Sequence, residues 1–426
     1  MRKMYVSKLP FWSIPMIYAA VAIVVSLIFP RLEYRYLASY RHGMTVSAAI
    51  AVFSSVASGM LALTGIVFSL AFVMVQFSSI AYSPRLVLWF SRDPVLSHSM
   101  GMFTATFIYA LTALGWVDRE GAGRVPFFST WVVILLVIAS VMILALLVQR
   151  LGALQVSGVV AFIGRRGRHV IREMYPVVMA ADSAQATVEH PPHAPALTAS
   201  VTQVVMYEGE PMAIAQYDVP ALVRLAQQAE GAIMLPLAVG DTLLAGDTLL
   251  SVRGGHHTLP AKVLRQAVHL EQQRTFAQDP KYALRLLVDI AIKALSPAVN
   301  DPTTAVQVLD EIEDLLRRIG TRDLRVGEVR DEGGVVRVSF PTPTWDDFLS
   351  LAFDETRFYG ATSLQVMRRL RAALSELKRV VPLARQQAIR GYLAHLDVTA
   401  KHAISDTEDL TTAMHQDRQG LGLSRE

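Results

Sequence analysis

Apolar positions are distributed unevenly along this chain. Between Lys8 and Arg31 about 22 residues pass without a charge, enough to cross a bilayer as a helix. That run ends Ile28-Phe29-Pro30-Arg31 rather than in small residues at a cleavage site, so it reads as a retained span, not a signal peptide. The next charge-free run, Gly43 to Pro84, is about 42 residues, roughly twice one crossing. Two spans would leave no room for a connecting loop. The preferred reading is one long helix, in lipid over about 53–80 and stopped by Pro84. Stretches at 99–117 and 126–148 bring the expected spans to four: about 11–30, 53–80, 99–117 and 126–148. Residues 1–150 are thus expected to form a membrane α-helical bundle.

Past Arg150 the pattern becomes that of a water-soluble α+β protein, mostly helical with a small β module and a hairpin. Residues 151–198 read as a juxtamembrane helix and a linker rich in Ala, Pro and His. Residues 199–258 read as a small α+β module. Its strands are expected at Val201–Tyr207, Ala213–Tyr217 and Ala232–Leu237, with a helix capped by Asp218. In this module Gly240-Asp241-Thr242-Leu243 recurs as Gly246-Asp247-Thr248-Leu249, each a tight turn into a short strand. The repetition resembles, over one turn pattern, the small barrel-like modules of potassium-channel regulators. A packing module without a ligand is the preferred reading. Residues 259–426 are expected to be helical. Asp331-Glu332-Gly333-Gly334 marks a hairpin there, and Thr344 with Asp347 makes a capping box. The end, Asp417-Arg418-Gln419-Gly420-Leu421-Gly422, is by composition a mobile tail.

Charge sets the orientation. Arg2, Lys3, Lys8, Arg85, Arg92, Arg150, Arg165, Arg166, Arg168 and Arg172 fall on one side of the four-span scheme. Arg31, Arg35, Arg41, Arg119 and Arg124 fall on the other. The bias toward basic cytoplasmic flanks puts both termini and the soluble part in the cytoplasm of a bacterial inner membrane. A net charge of +4 is too small to imply nucleic-acid binding, and no such motif is present. The chain has no Cys, which excludes disulfides, thiol catalysis and Cys-based metal sites.

Three groups of residues carry candidate chemistry. Ser54, Ser58, Gly65, Ser69, Gln76 and Ser83 fall on one stripe of the second span. The stripe reads either as a pore lining or as a small-residue seam for helix packing. No Asp, Glu, Lys or Arg lies within any span core, which argues against an ion-coupled transporter. The second group is Arg274, Asp279, Asp289, Asn300 and Asp301. These form either a polar pocket for an ion or phosphate-bearing ligand at helix N-termini, or plain helix caps plus an Arg285–Asp289–Lys293 ladder. The third, Arg165-Arg166-Gly167-Arg168, reads as a contact for anionic lipid headgroups or as a topogenic signal. No catalytic residue, metal site or cofactor is assigned. Ser-His-Asp order, HExxH, phosphate loops and nucleotide fingerprints are all absent.

Several segments resemble a bacterial predicted-membrane-protein family catalogued as a domain of unknown function. They are Gly65-Ile66-Val67-Phe68-Ser69, Phe77 through Arg85, Arg274 through Pro280, Ala294 through Pro302, Pro341 to Phe348, and Asp417 through Gly422. The chain departs from the pattern in the linker near 180–198 and at Tyr217. The resemblance implies four spans and a large cytoplasmic part, and supplies no reaction. The expected functions are a channel-like or transport-related homo-oligomer with a regulatory cytoplasmic domain, or a membrane-anchored sensor or scaffold. An enzyme is the least favoured class.

Overall fold

The computed structural model describes residues 12–36, 44–81, 94–119, 125–152, 156–177 and 198–422. The chain divides into two compact units, Met1–Gln155 and Val156–Glu426.

The first unit is helical. Among the described residues its elements are α1 (Ser13–Tyr36), α2 (Val46–Ala81), α3 (Pro94–Leu114) and α4 (Phe127–Gly152). The long charge-free run is a single helix of 36 residues, not two. Among the described residues, three helices are long and apolar enough to cross a membrane: Ser13–Tyr36, Val46–Val73 within α2, and Phe127–Gln149 within α4. Helix α3, expected as a fourth span, has the length at 21 residues and no charge but not the hydropathy. Its position in the unit explains why. It packs against α1, α2 and α4 at once. Its buried residues include Ser97, Ser99, Gly101 and Thr106. Polar and small side chains are tolerated there because they meet other helices; Thr106 Oγ1, for example, lies 3.1 Å from Ser140 Oγ. The outer faces of the other helices expose large apolar side chains such as Phe68, Phe72, Leu135 and Met142, which water would not solvate.

The second unit opens with α5 (Val156–Met174), amphipathic with Val159, Val160, Ile163, Gly167, Val170 and Ile171 buried. The β part follows: β1 (Val201–Met206), β2 (Met212–Tyr217), α6 (Val219–Gln228), β3 (Ala232–Met234), β4 (Thr242–Leu243), β5 (Thr248–Arg253), α7 (Ala261–Gln266) and β6 (Val268–Glu271). Helices α8 (Pro280–Ala294) and α9 (Pro302–Ile319) come next. The hairpin β7 (Glu328–Arg330) and β8 (Val336–Ser339) precedes α10 (Trp345–Tyr359), α11 (Leu364–Val380), α12 (Leu383–Ala403) and α13 (Thr407–Ala413).

Strands form two sheets, β1-β5-β3-β8-β7 and β4-β2-β6. The hairpin at 328–339 joins the first sheet through a parallel β3–β8 pairing, Ile233 opposite Val338. The α+β module and the helical region therefore share one sheet, and no unit boundary falls near residue 258. The helical core centres on α8, which is buried on nearly every side because α5, α9 and α10 all pack on it. The Asp-Pro cues act as expected. Asp279 and Asp301 cap α8 and α9, each accepting a backbone N–H three residues on and each followed by Pro. Thr344 and Asp347 form the capping box.

The tail expected to be mobile is folded back. Asp417 accepts from the backbone N–H of Gln419 at 2.9 Å and of Gly422 at 2.6 Å, and Arg368 donates to the Thr412 and Gly420 carbonyls. Gly420 and Gly422 supply the positive φ that this turn needs. Composition reports the glycines but not the partner on α11.

Candidate functional site: an arginine-lined cleft

Helices α5 and α9 lie close together because two glycines on α5 leave room. A Cβ on Gly167 would meet Leu315 and Ala283 at about 3 Å, and one on Gly164 would collide with the Glu311 carboxylate. Beside this seam the two helices enclose a cleft of about 330 Å³ lined by Arg165, Arg168, Ile171, Arg172, Arg318 and Arg322. That volume suits a small ligand. Arg165, Arg168 and Arg172 share a face of α5 at spacings of three and four. Arg318 stands in the last turn of α9, and Arg322 follows it.

Two carboxylates reach into this cluster. Arg168 Nη1 donates to Glu311 Oε2 at 2.6 Å and to Asp314 Oδ2 at 2.9 Å. Arg318 Nε donates to both oxygens of Asp314 at 3.1 and 3.0 Å. Burial raises the Asp314 pKa, but the bonds from Arg318 and Arg168 outweigh it and hold the carboxyl below its usual range. Arg322 donates to the Tyr175 carbonyl, which fixes its guanidinium at the end of the cleft. Burial lowers the pKa of Arg322, and repulsion from Arg318 and Arg172 lowers it further. Among the described residues, Arg165 and Arg172 make no ion pair. The arrangement is a recess with more fixed cations than anions, which is the chemistry of anion recognition by guanidinium forks.

The expected polar pocket is not assembled in one place. Arg274 and Asp279 meet at the N-terminal end of α8, with Nε–Oδ2 at 2.9 Å and Nη2–Oδ1 at 3.1 Å. Asn300 and Asp301 lie past the other end of that 15-residue helix, about 22 Å of rise away. Asp301 is occupied with Thr304, and Asn300 takes a left-handed turn conformation. Asp289 belongs to a third group. Arg285 Nε donates to it at 2.7 Å, while the other two nitrogens of Arg285 grip Glu355 at 2.7 Å each. Arg274, Asp279, Asp289 and Asp301 serve capping or pairing within the fold, and Asn300 forms the turn before α9. Among the described residues no group of His, Asp or Glu is arranged to hold a metal ion.

The stripe on α2 turns away from its own bundle. Phe53, Ala57, Met60 and Val67 are buried there, whereas Ser58, Gly65, Ser69 and Gln76 are exposed and Ser54 is half-buried. Ser54 and Ser69 donate to backbone carbonyls four residues back, Ile50 and Gly65. Among the described residues, Ser58, Gly65, Ser69 and Gln76 therefore form no packing seam. Ser83 and the linker histidines His190 and His193 lie outside the described residues.

The sequence does not by itself mark Arg172, Arg318 and Arg322 as site residues. The three-and-four spacing of Arg165, Arg168 and Arg172 is a readable signal, but only the docking of α9 adds the other two.

The sequence comparisons agree with the apolar architecture. An uncharacterized protein of Mycobacterium tuberculosis (strain ATCC 25618 / H37Rv) is 28% identical over 365 residues, covering 83% of this chain and 68% of the relative. An uncharacterized protein of Mycobacterium bovis matches to the same extent. No solved structure matches. Residues 8–376 match the predicted membrane protein family DUF2254, and the chain belongs to that family.

Proposed function

We propose that the chain is a membrane-anchored sensor or scaffold whose α+β unit binds an anionic ligand in the α5–α9 cleft. In this reading four helices cross the bilayer, α3 being the fourth and shielded from lipid by the others. The Lys and Arg bias puts both termini and the α+β unit in the cytoplasm. The observation that carries the reading is the cleft itself: five arginines face one recess, and two carboxylates partly neutralise them. The test is thermal unfolding of the purified full chain in detergent against a panel of mono- and polyvalent anions. Polyvalent anions raise the midpoint of the wild type, and the Arg165→Glu/Arg172→Glu variant loses that rise. A panel in which no anion stabilises the wild type overturns the reading.

The exposed stripe of Ser58, Gly65, Ser69 and Gln76 favours a second reading, a homo-oligomer whose α2 helices line a path or meet one another. Ser69→Ala/Gln76→Leu in reconstituted liposomes separates the two. A channel loses ion flux on that change, whereas an anchor shows no flux in either protein and keeps its anion response.

A further inference from the structure

The charge in the cleft is specific enough to name its ligand class. Five arginines and two carboxylates, Glu311 and Asp314, leave a net charge of five minus two, or about +3. One phosphate monoester carries about −1.5 to −2 at neutral pH, so two such groups carry about −3 to −4. A single phosphate would leave the cleft under-neutralised, and a long polyanion exceeds a recess of about 330 Å³. The cations also stand in two sets: Arg165, Arg168 and Arg172 along α5, and Arg318 and Arg322 at the end of α9. The partial negative charge at the C-terminus of α9 would oppose an anion. Arg385 meets it from the other direction, donating to Ile319 O at 3.1 Å and Arg322 O at 2.9 Å.

We propose that the cleft binds a small anion or headgroup bearing two phosphate groups, one held by the arginines of α5 and the other by Arg318 and Arg322. This rests on the anion-binding reading above and names the ligand which that reading leaves open. The same chemistry is offered by a free diphosphate and by a doubly phosphorylated lipid headgroup.

The test uses the full chain in detergent. Calorimetry measures binding of inorganic pyrophosphate, inorganic phosphate and citrate. The same calorimetry measures binding of mixed micelles of that detergent with and without a lipid carrying two phosphates. Pyrophosphate or the doubly phosphorylated micelles bind at least about tenfold more tightly than phosphate or citrate, since each added charged hydrogen bond is worth roughly a factor of ten. Binding of pyrophosphate identifies a free ligand; binding of the lipid micelles alone identifies a headgroup. Arg165→Glu/Arg172→Glu weakens either by about ten- to a hundredfold, while Arg166→Glu, one position off the cleft, leaves it unchanged. Arg165→Ala/Arg172→Ala, at two exposed positions, repeats the measurement without charge reversal.

Citrate binding as tightly as pyrophosphate overturns the two-phosphate assignment and leaves the anion reading standing. Equal losses from Arg166→Glu and Arg165→Glu overturn the site, because they report diffuse attraction. Binding of neither phosphate-bearing probe overturns the proposal outright.

Discussion

Arg274 holds both carboxylate oxygens of Asp279 in a fork, and Gly240 lies against the pair. Asp279 is 1% exposed and also caps α8. Removing the guanidinium strands a buried carboxylate. Arg274→Ala is therefore expected to cost about 3–5 kcal/mol in thermal or denaturant unfolding, and adding Asp279→Asn recovers part of it. An unchanged midpoint for the single variant would show that the pair is open to water.

Gly240 and Gly246 occupy the same place in the repeated turn and share a φ of +93°. Their surroundings differ. A side chain at Gly240 would collide with Asp279 and press on Arg274, whereas nothing lies within 4 Å at Gly246. Gly246→Ala should cost only the backbone strain, about 1 kcal/mol. Gly240→Ala adds a clash with the buried pair and should cost at least about 1–3 kcal/mol more. Matched unfolding midpoints of the two variants decide this, and equal losses would contradict the packing of that turn.

These cases show what the sequence discloses. Asp279-Pro280 and Asp301-Pro302 announce their caps because the cue and the bond lie within three residues. The two glycine turns are likewise local. What each local feature touches is not local. Asp279 and Asp301 carry the same Asp-Pro cue, yet the full length of α8 stands between the two caps. The cleft draws on two segments about 150 residues apart, and only the helix contact at Gly164 and Gly167 joins them. Helix α3 reads as a span by its lack of charge, although its packing against three helices lets it carry more polar side chains than a lipid-facing span.

Two carboxylates give opposite pH signatures. Burial is the largest influence on Asp279 and raises its pKa despite Arg274, so the folded state holds the proton more tightly than the unfolded one. Its contribution to stability falls as pH rises above the ordinary value of 3.8. At Glu355 the hydrogen bonds from Arg285 dominate and lower the pKa. That contribution is present above 4.5 and is lost as pH falls through the folded-state value. Glu355→Gln should lower stability modestly at neutral pH and flatten the acid limb below 4.5 by the same amount, small because Glu355 itself is about half-exposed. An acid limb identical to wild type would mean that Arg285 does not hold Glu355 in solution.

Glu33 makes the corresponding contact in the apolar unit. From the last turns of α1 it reaches the start of α4, about 95 residues away, and lies 8% exposed. Its oxygens accept from Phe128 N at 2.7 Å, Ser129 N at 3.1 Å and Ser129 Oγ at 2.9 Å. Helix N-termini leave N–H groups without partners, and a carboxylate also suits the positive end of the helix dipole. Glu33→Ala leaves three donors unsatisfied where water is scarce, and should cost about 2–4 kcal/mol of unfolding free energy in detergent. Glu33→Gln keeps an acceptor but loses the charge, and should cost about half as much. A signal or topogenic role for this segment would make no such distinction between Ala and Gln, so a graded loss across the two variants ties α1 to α4 as part of one folded bundle.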